Sequence, residues 1–219
     1  MQIRFLGHSA FAVRLDTGRS LAIDPFLTGN PVAAAKPEDL AGCDLVLVTH
    51  DHDDHLGDAF PICRQSGATL VAMFEIAAAA QEEGIAAEPM GIGGAISLDG
   101  VIVNMVNAQH SAGRGHPAGF VLEAEGKNLY FAGDTGLFGD MKLIGDQWDL
   151  DLAVLPVGDR FTMGPKAAAR AVDLLRPKHV IPCHYGTFPI ILPDASHFVS
   201  LVGDRAELHA LAPGEALDL

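Results

Sequence analysis

The segment that most restricts this chain is Thr49-His50-Asp51-His52-Asp53-Asp54-His55. It packs three imidazoles and three carboxylates into six consecutive positions, directly behind the apolar run Leu45-Val46-Leu47-Val48. Imidazoles and carboxylates crowded at the end of a buried strand are costly unless a cation compensates them. A fold containing this segment must therefore deliver a metal to it or leave it in water, and the solvated acidic loop is the competing reading. In extended chain, residues two apart point the same way. His50 and His52 can thus share one ion, while Asp54 and His55, around the turn, can reach a second.

Other runs end in potential ligands. The apolar stretch 101–107 leads to Gln109-His110, Leu129-Tyr130-Phe131-Ala132 leads to Gly133-Asp134, and Val180-Ile181-Pro182-Cys183 leads to His184. Strand ends that place polar residues at one rim of a sheet are a common way to build a site. The inventory is His50, His52, Asp54, His55, His110, Asp134 and His184. Seven nitrogen and oxygen donors suffice for two ions bridged by Asp134, each with room left for water.

The chain around these residues reads as mixed α and β. Strands are expected over 3–5, 11–15, 20–23, 45–49, 69–73, 95–98, 101–107, 119–123, 128–132, 152–157 and 179–182, each short and rich in Val, Ile and Leu. Asp99-Gly100 between two such runs is a hairpin signal. Helices are expected over 58–65, 74–83 and 165–175. The last opens on Pro165 and separates Lys166, Arg170 and Asp173 from Ala168, Ala171, Val172 and Leu175. No low-complexity linker divides residues 1–219, so the chain reads as one domain of sheets sandwiched between helices.

Composition narrows the function. Hydrophobic types make up 49% of the 219 residues and charged types 19%, enough for a large core. Fourteen Lys and Arg against 28 Asp and Glu give a formal charge of −14, with the cations scattered singly. A polyphosphate backbone is repelled by such a surface, so nucleic acid is not an expected partner. No apolar stretch approaches the roughly 18 residues a membrane span needs. Cys43, Cys63 and Cys183 form no disulfide framework. Together with an N-terminus that lacks a long apolar signal segment, they place the protein in the cytoplasm.

The pattern His-x-His-x-Asp-His, followed by a single His, a Gly-Asp and a late His, resembles the metallo-β-lactamase superfamily. Gly7-His8-Ser9-Ala10-Phe11, Ile23-Asp24-Pro25-Phe26 and Val157-Gly158-Asp159-Arg160-Phe161-Thr162-Met163-Gly164-Pro165 are similar to a compact branch of it. That branch comprises uncharacterised metal-dependent hydrolases related to ascorbate-6-phosphate lactonase. The resemblance implies an α/β (α+β) fold, a four-layer αββα sandwich with the metals at one edge between the sheets. By the same resemblance His50, His52 and His110 hold the first metal, Asp54, His55 and His184 the second, and Asp134 lies between them.

The chemistry expected is hydrolysis. A metal-bound water with its pKa lowered to near 7 supplies hydroxide at neutral pH, and the second ion polarises the scissile carbonyl or phosphoryl oxygen. Asp54 can also shuttle the proton of the nucleophile, and His8 is a further catalytic candidate. The reading is a dinuclear hydrolase of a small ester, lactone or phosphoester, holding Zn2+ with Mn2+ or Fe as alternatives. Its partner is a small molecule, with an anionic one and a homo-oligomeric state both compatible. An iron-dependent oxidoreductase on the same fold, a metal-dependent nuclease and a non-catalytic metal-binding module are the competing classes.

Several weaker candidates remain. His116 and Arg114 are either substrate contacts or a solvated loop, and Asp159 and Arg160 either a substrate-facing pair or helix-entry and salt-bridge residues. Asp24 either orients a ligand imidazole or forms a turn. Cys183 points away from His184 and is expected in the core. His179, His197 and His209 lie outside the constellation.

Overall fold

The apolar runs of the sequence become strands, and the turn signals between them decide how those strands pair. The computed structural model describes residues 1–219. By internal packing the chain divides into two units, one of Met1–Ile92, Ser111–Pro117 and Leu211–Leu219, the other of Gly93–His110 and Ala118–Ala210. Each is built on a seven-stranded sheet.

The first unit carries β1 (Gln2–Gly7), β2 (Ala10–Arg14), β3 (Ser20–Ile23), β4 (Leu45–Val48), α1 (Asp53–Leu56), α2 (Ala59–Ser66), β5 (Thr69–Met73), α3 (Phe74–Glu82) and β6 (Ala87–Met90). Its sheet runs β14-β1-β2-β3-β4-β5-β6, with β14 (Ala216–Asp218) supplied by the end of the chain. The β14-to-β3 half is antiparallel and the β3-to-β6 half parallel. β4 is buried at all four positions, which is why it reads as an unbroken apolar run rather than an alternating one. Register along β3 and β4 pairs Ile23 with Leu47. The next residues, Asp24 and Thr49, therefore emerge close together at the C-terminal ends of parallel strands.

The second unit carries β7 (Ala95–Leu98), β8 (Val101–Asn107), β9 (Ala118–Ala124), β10 (Lys127–Phe131), α4 (Met141–Gln147), β11 (Leu152–Pro156), α5 (Pro165–Leu175), β12 (His179–Cys183), α6 (Ser196–Val202) and β13 (Glu207–Leu208). The strands lie in chain order, antiparallel from β7 to β10 and parallel from β10 to β13. Asp99 and Gly100 both take positive φ (46° and 91°), the mirror-image turn that matches strand twist in a two-residue hairpin. β8 and β10 are each antiparallel to β9, so β8 runs in the same direction as β10, β11 and β12. The residues directly after β8, β10 and β12 therefore share one rim.

α5 opens on Pro165 and buries Ala168, Ala171, Val172 and Leu175, as its apolar stripe predicts. It packs with Met141 and Ile144 of α4 and Phe198 and Val202 of α6 into one apolar cluster with Tyr130, Ala153 and Leu155 of the sheet. A Cβ on Gly145 of α4 would lie 2.5 Å from the Leu175 carbonyl oxygen, so the two helices meet through a glycine. Fully burying a side chain such as Phe198 contributes about 1.5–3 kcal/mol.

Three strands and three helices lie outside the expected set. β6 contains Glu88 and Pro89, which read as loop but are tolerated because β6 is an edge strand. β13 and β14 span two and three residues, too short to show a period. α1 is hidden inside the histidine cluster, and α4 and α6 are seven-residue helices. No helix is long and apolar enough to cross a membrane.

Candidate metal centre

In the first unit, one carboxylate organises the histidine cluster. Asp24 directly succeeds β3 with φ 45° and is buried. Its Oδ1 accepts the Thr49 backbone N–H at 2.8 Å, and its Oδ2 accepts the Thr49 hydroxyl at 2.7 Å and His55 Nδ1–H at 2.8 Å. A carboxylate only accepts, so Nδ1 of His55 carries the proton and Nε2 presents its lone pair. Thr49 gives its single hydroxyl proton to Asp24, so the 3.1 Å contact between Thr49 Oγ1 and His50 Nδ1 requires His50 to donate. His50 Nε2 is then also a lone pair, and it lies 3.0 Å from His52 Nδ1. Asp24 thus fixes the tautomer of two imidazoles, one directly and one through Thr49. It serves both as imidazole-orienting partner and as turn residue.

His50 and His55 are fully buried, and His52 is partly so. Asp54 and His55 sit in the first turn of α1, and Asp54 Oδ2 lies 3.1 Å from Nε2 of His8. His8, with φ 59° and no exposed surface, is held in the β1–β2 connection. Donor atoms of His8, Asp54 and His55 fall within 4.8 Å of one another. Asp51, between His50 and His52, points elsewhere: its Oδ1 accepts the Gly113 N–H at 2.7 Å, and its Oδ2 lies 3.9 Å from Arg114 Nε. It ties the 111–117 loop to the histidine segment.

In the second unit, His110, Asp134 and His184 lie beyond the ends of β8, β10 and β12 at the shared rim. Asp134 Oδ2 lies 3.0 Å from His184 Nε2 and 3.6 Å from His110 Nε2. Asp134 and His184 are each 3% exposed at the side chain. Thr135 locks the ends in place, its Oγ1 accepting the Gln109 N–H and its carbonyl accepting the Met163 N–H, both at 2.9 Å. His184 takes φ 58°, and a Cβ on Gly158 would collide with its carbonyl oxygen.

These donors are imidazole nitrogens and carboxylate oxygens, the set that suits zinc, manganese and iron. In the first unit the tautomers set by Asp24 leave the Nε2 lone pairs of the buried His50 and His55 rings available to a cation. In the second, Asp134 Oδ2 faces two ring nitrogens within 3.6 Å. The residues therefore fit divalent cations.

The remaining candidates separate cleanly. Arg114 and His116 are exposed. Asp159 and Arg160 are exposed with φ 61° and 52°, and the Arg160 guanidinium lies 5.6 Å over the Phe161 ring. Cys183 is buried, as expected. His197 is exposed, whereas His179 and His209 pair with each other, Nδ1 to Nε2 at 3.0 Å. Thr49, Asp51 and Thr135 escaped the sequence reading. The signal for Thr49 is its place at the junction of buried strand and cluster, and for Asp51 the alternation that turns it away from its two histidine neighbours.

Comparison with known proteins agrees with this chemistry. Residues 13–185 match the model of the beta-lactamase superfamily domain. Metal-dependent hydrolases of the UPF0173 group from Pelotomaculum thermopropionicum and Methanopyrus kandleri are 47% and 48% identical to this chain, over the full length of both partners in each case. The solved structure of a metallo hydrolase from the archaeon Ignicoccus hospitalis is 38% identical and superimposes with a TM-score of 0.93, covering 99% of this chain and 97% of that one. Two mixed sheets, a histidine-rich strand end and full-length likeness to these hydrolases make this chain a metal-dependent hydrolase of the metallo-β-lactamase superfamily, with its α/β fold.

Proposed function

We propose that residues 1–219 act as one cytoplasmic hydrolase domain that cleaves a small ester, lactone or phosphoester with two divalent ions, Zn2+ first among them. His50, His52 and His110 would hold one ion and Asp54, His55 and His184 the other, with Asp134 shared between them. The observation that carries this reading is the Asp24–Thr49 relay, which commits His50 and His55 to the tautomers a metal ligand needs.

When bound, the ions lower the pKa of a coordinated water toward neutrality and polarise the scissile bond. The protein's own part is proton handling. Asp54 Oδ2 accepts the proton of the attacking water as its oxygen bonds to the carbonyl carbon or phosphorus, and returns it to the leaving oxygen as the old bond breaks. His8, 3.1 Å away and buried, holds the Asp54 carboxylate in place for that transfer. The paired positive charge draws anionic substrates to a chain whose net charge is −14. Three buried thiols without a disulfide accord with a reducing cytoplasm.

The test is a panel of lactones, aryl esters and phosphodiesters, assayed with protein stripped by chelator and then reloaded with zinc. Turnover is expected only after reloading, and Asp134→Ala is expected to lower the zinc content. Normal turnover by metal-free protein would refute the reading, as would oxygen uptake by an iron-loaded form.

A further inference from the structure

The pair His179 and His209 leads to a second site, independent of the one above. His179 opens β12, Glu207 opens β13, and His209 stands directly after β13. The parallel register sets His179 opposite Glu207, and the His209 N–H donates to the Val180 carbonyl at 2.9 Å. Backbone pairing therefore holds three donors on one patch. His179 Nδ1 lies 3.0 Å from His209 Nε2, 3.6 Å from Glu207 Oε2, and His209 Nε2 lies 3.7 Å from Glu207 Oε1.

Donors at about 2.0–2.2 Å around a tetrahedral ion stand about 3.3 Å apart along each edge. The observed separations, 3.0 Å between the two rings and 3.6 and 3.7 Å from each ring to a different oxygen of Glu207, lie around that value. The carboxylate sits beyond hydrogen-bond reach of either ring, yet turns one oxygen to each. The nearby cations are engaged elsewhere, Lys178 with Asp151 and Arg205 with Asp173.

We infer that His179, Glu207 and His209 form an accessory site for a divalent transition ion, zinc in the first place, which staples the short edge strand β13 to β12. The site is separate from the proposed catalytic centre. His179 and His184 lie at opposite ends of β12, about 16 Å apart along the strand. Two imidazoles and one carboxylate with open positions suit zinc. The gain is structural, since a two-residue edge strand is held by few backbone bonds.

The experiment counts zinc per full-length chain by equilibrium dialysis and elemental analysis, in wild type and in His179→Gln, His209→Gln and Glu207→Gln. Either histidine variant is expected to hold one ion fewer than wild type while the zinc-loaded protein keeps its hydrolytic activity. Glu207→Gln is expected to weaken that one equivalent at least about tenfold, since losing even an outer partner of a ligand costs 10–100-fold. Equal counts and affinities in all four proteins would overturn the site and leave the histidines as a hydrogen-bonded brace. Should a histidine variant fail to fold, Glu207→Gln decides alone. Its side chain is 68% exposed and tolerant of change, and unchanged uptake there overturns the inference.

Discussion

In the first unit the proposed ligands His50, His52, Asp54 and His55 come from one run of six residues, and side-chain hydrogen bonds from Asp24 and Thr49 set the tautomers of His50 and His55. In the second, His110, Asp134 and His184 come from three separate strand ends, and the backbone fixes them through Thr135 and the close approach of Gly158. One unit thus prepares its donors by local chemistry, the other by topology. The difference says where each is fragile. A contiguous cluster fails when its organising carboxylate is changed, whereas a cluster assembled by strands fails when the strand ends can no longer meet.

The largest effect is expected where topology is tightest. Alanine at Gly158 puts a methyl group onto the His184 carbonyl oxygen, a backbone atom that cannot swing aside. Overpacking of this kind costs about 1–3 kcal/mol or more. Gly158→Ala is therefore expected to lower Tm by several degrees and to cut zinc content together with it, because His184 moves with its backbone. A variant with wild-type Tm and full zinc content would show that the second unit does not depend on this contact.

Asp24→Asn tests the first unit's device. An amide cannot accept from the Thr49 amide, the Thr49 hydroxyl and His55 Nδ1 together as the carboxylate does. Zinc affinity is expected to fall about 10–100-fold, the usual cost of losing a partner that orients a ligand histidine. Thr49→Val, which removes only the branch to His50, is expected to cost less. If a competition titration with a chromogenic chelator finds both variants equal to wild type, protonation control is not what prepares this cluster.

The same contrast governs what the sequence alone discloses. His50 to His55 are contiguous, so their chemistry is visible without a fold. His110, Asp134 and His184 become visible only when the polar residue at the end of each apolar run is considered, because nothing local marks the three as partners. Asp99-Gly100 is legible because positive φ at two successive residues has few sequence solutions. β6 is hidden by Pro89, and β13 by having only two residues. Nothing local links His179 with His209, which lie thirty residues apart and meet only through the pairing of β12 with β13. Thr49 passed for the end of a strand, since a hydroxyl that relays a tautomer has no signature beyond its position.

The thiols sharpen the comparison last and by the smallest amount. Cys43 and Cys63 belong to the first unit and Cys183 to the second, and all three are buried and outside any disulfide. Burial pushes the Cys43 thiol up to about 11 and the Cys63 thiol up to about 12, in the latter case with help from Cys43. Below about pH 9 both states keep these protons and stability is unaffected. Between about 9 and 11 the unfolded chain releases protons that the native state retains, so stability falls as pH rises. The expected loss is on the order of 1–2 kcal/mol, read as a Tm decrease of a few degrees from pH 8.5 to pH 9.5. Cys43→Ala/Cys63→Ala protein should lose most of that slope, and iodoacetamide at pH 8 should leave both first-unit thiols unmodified in the native protein. Rapid alkylation of Cys43 or Cys63 at pH 8 would mean that this side of the first unit opens to solvent far more readily than its packing implies.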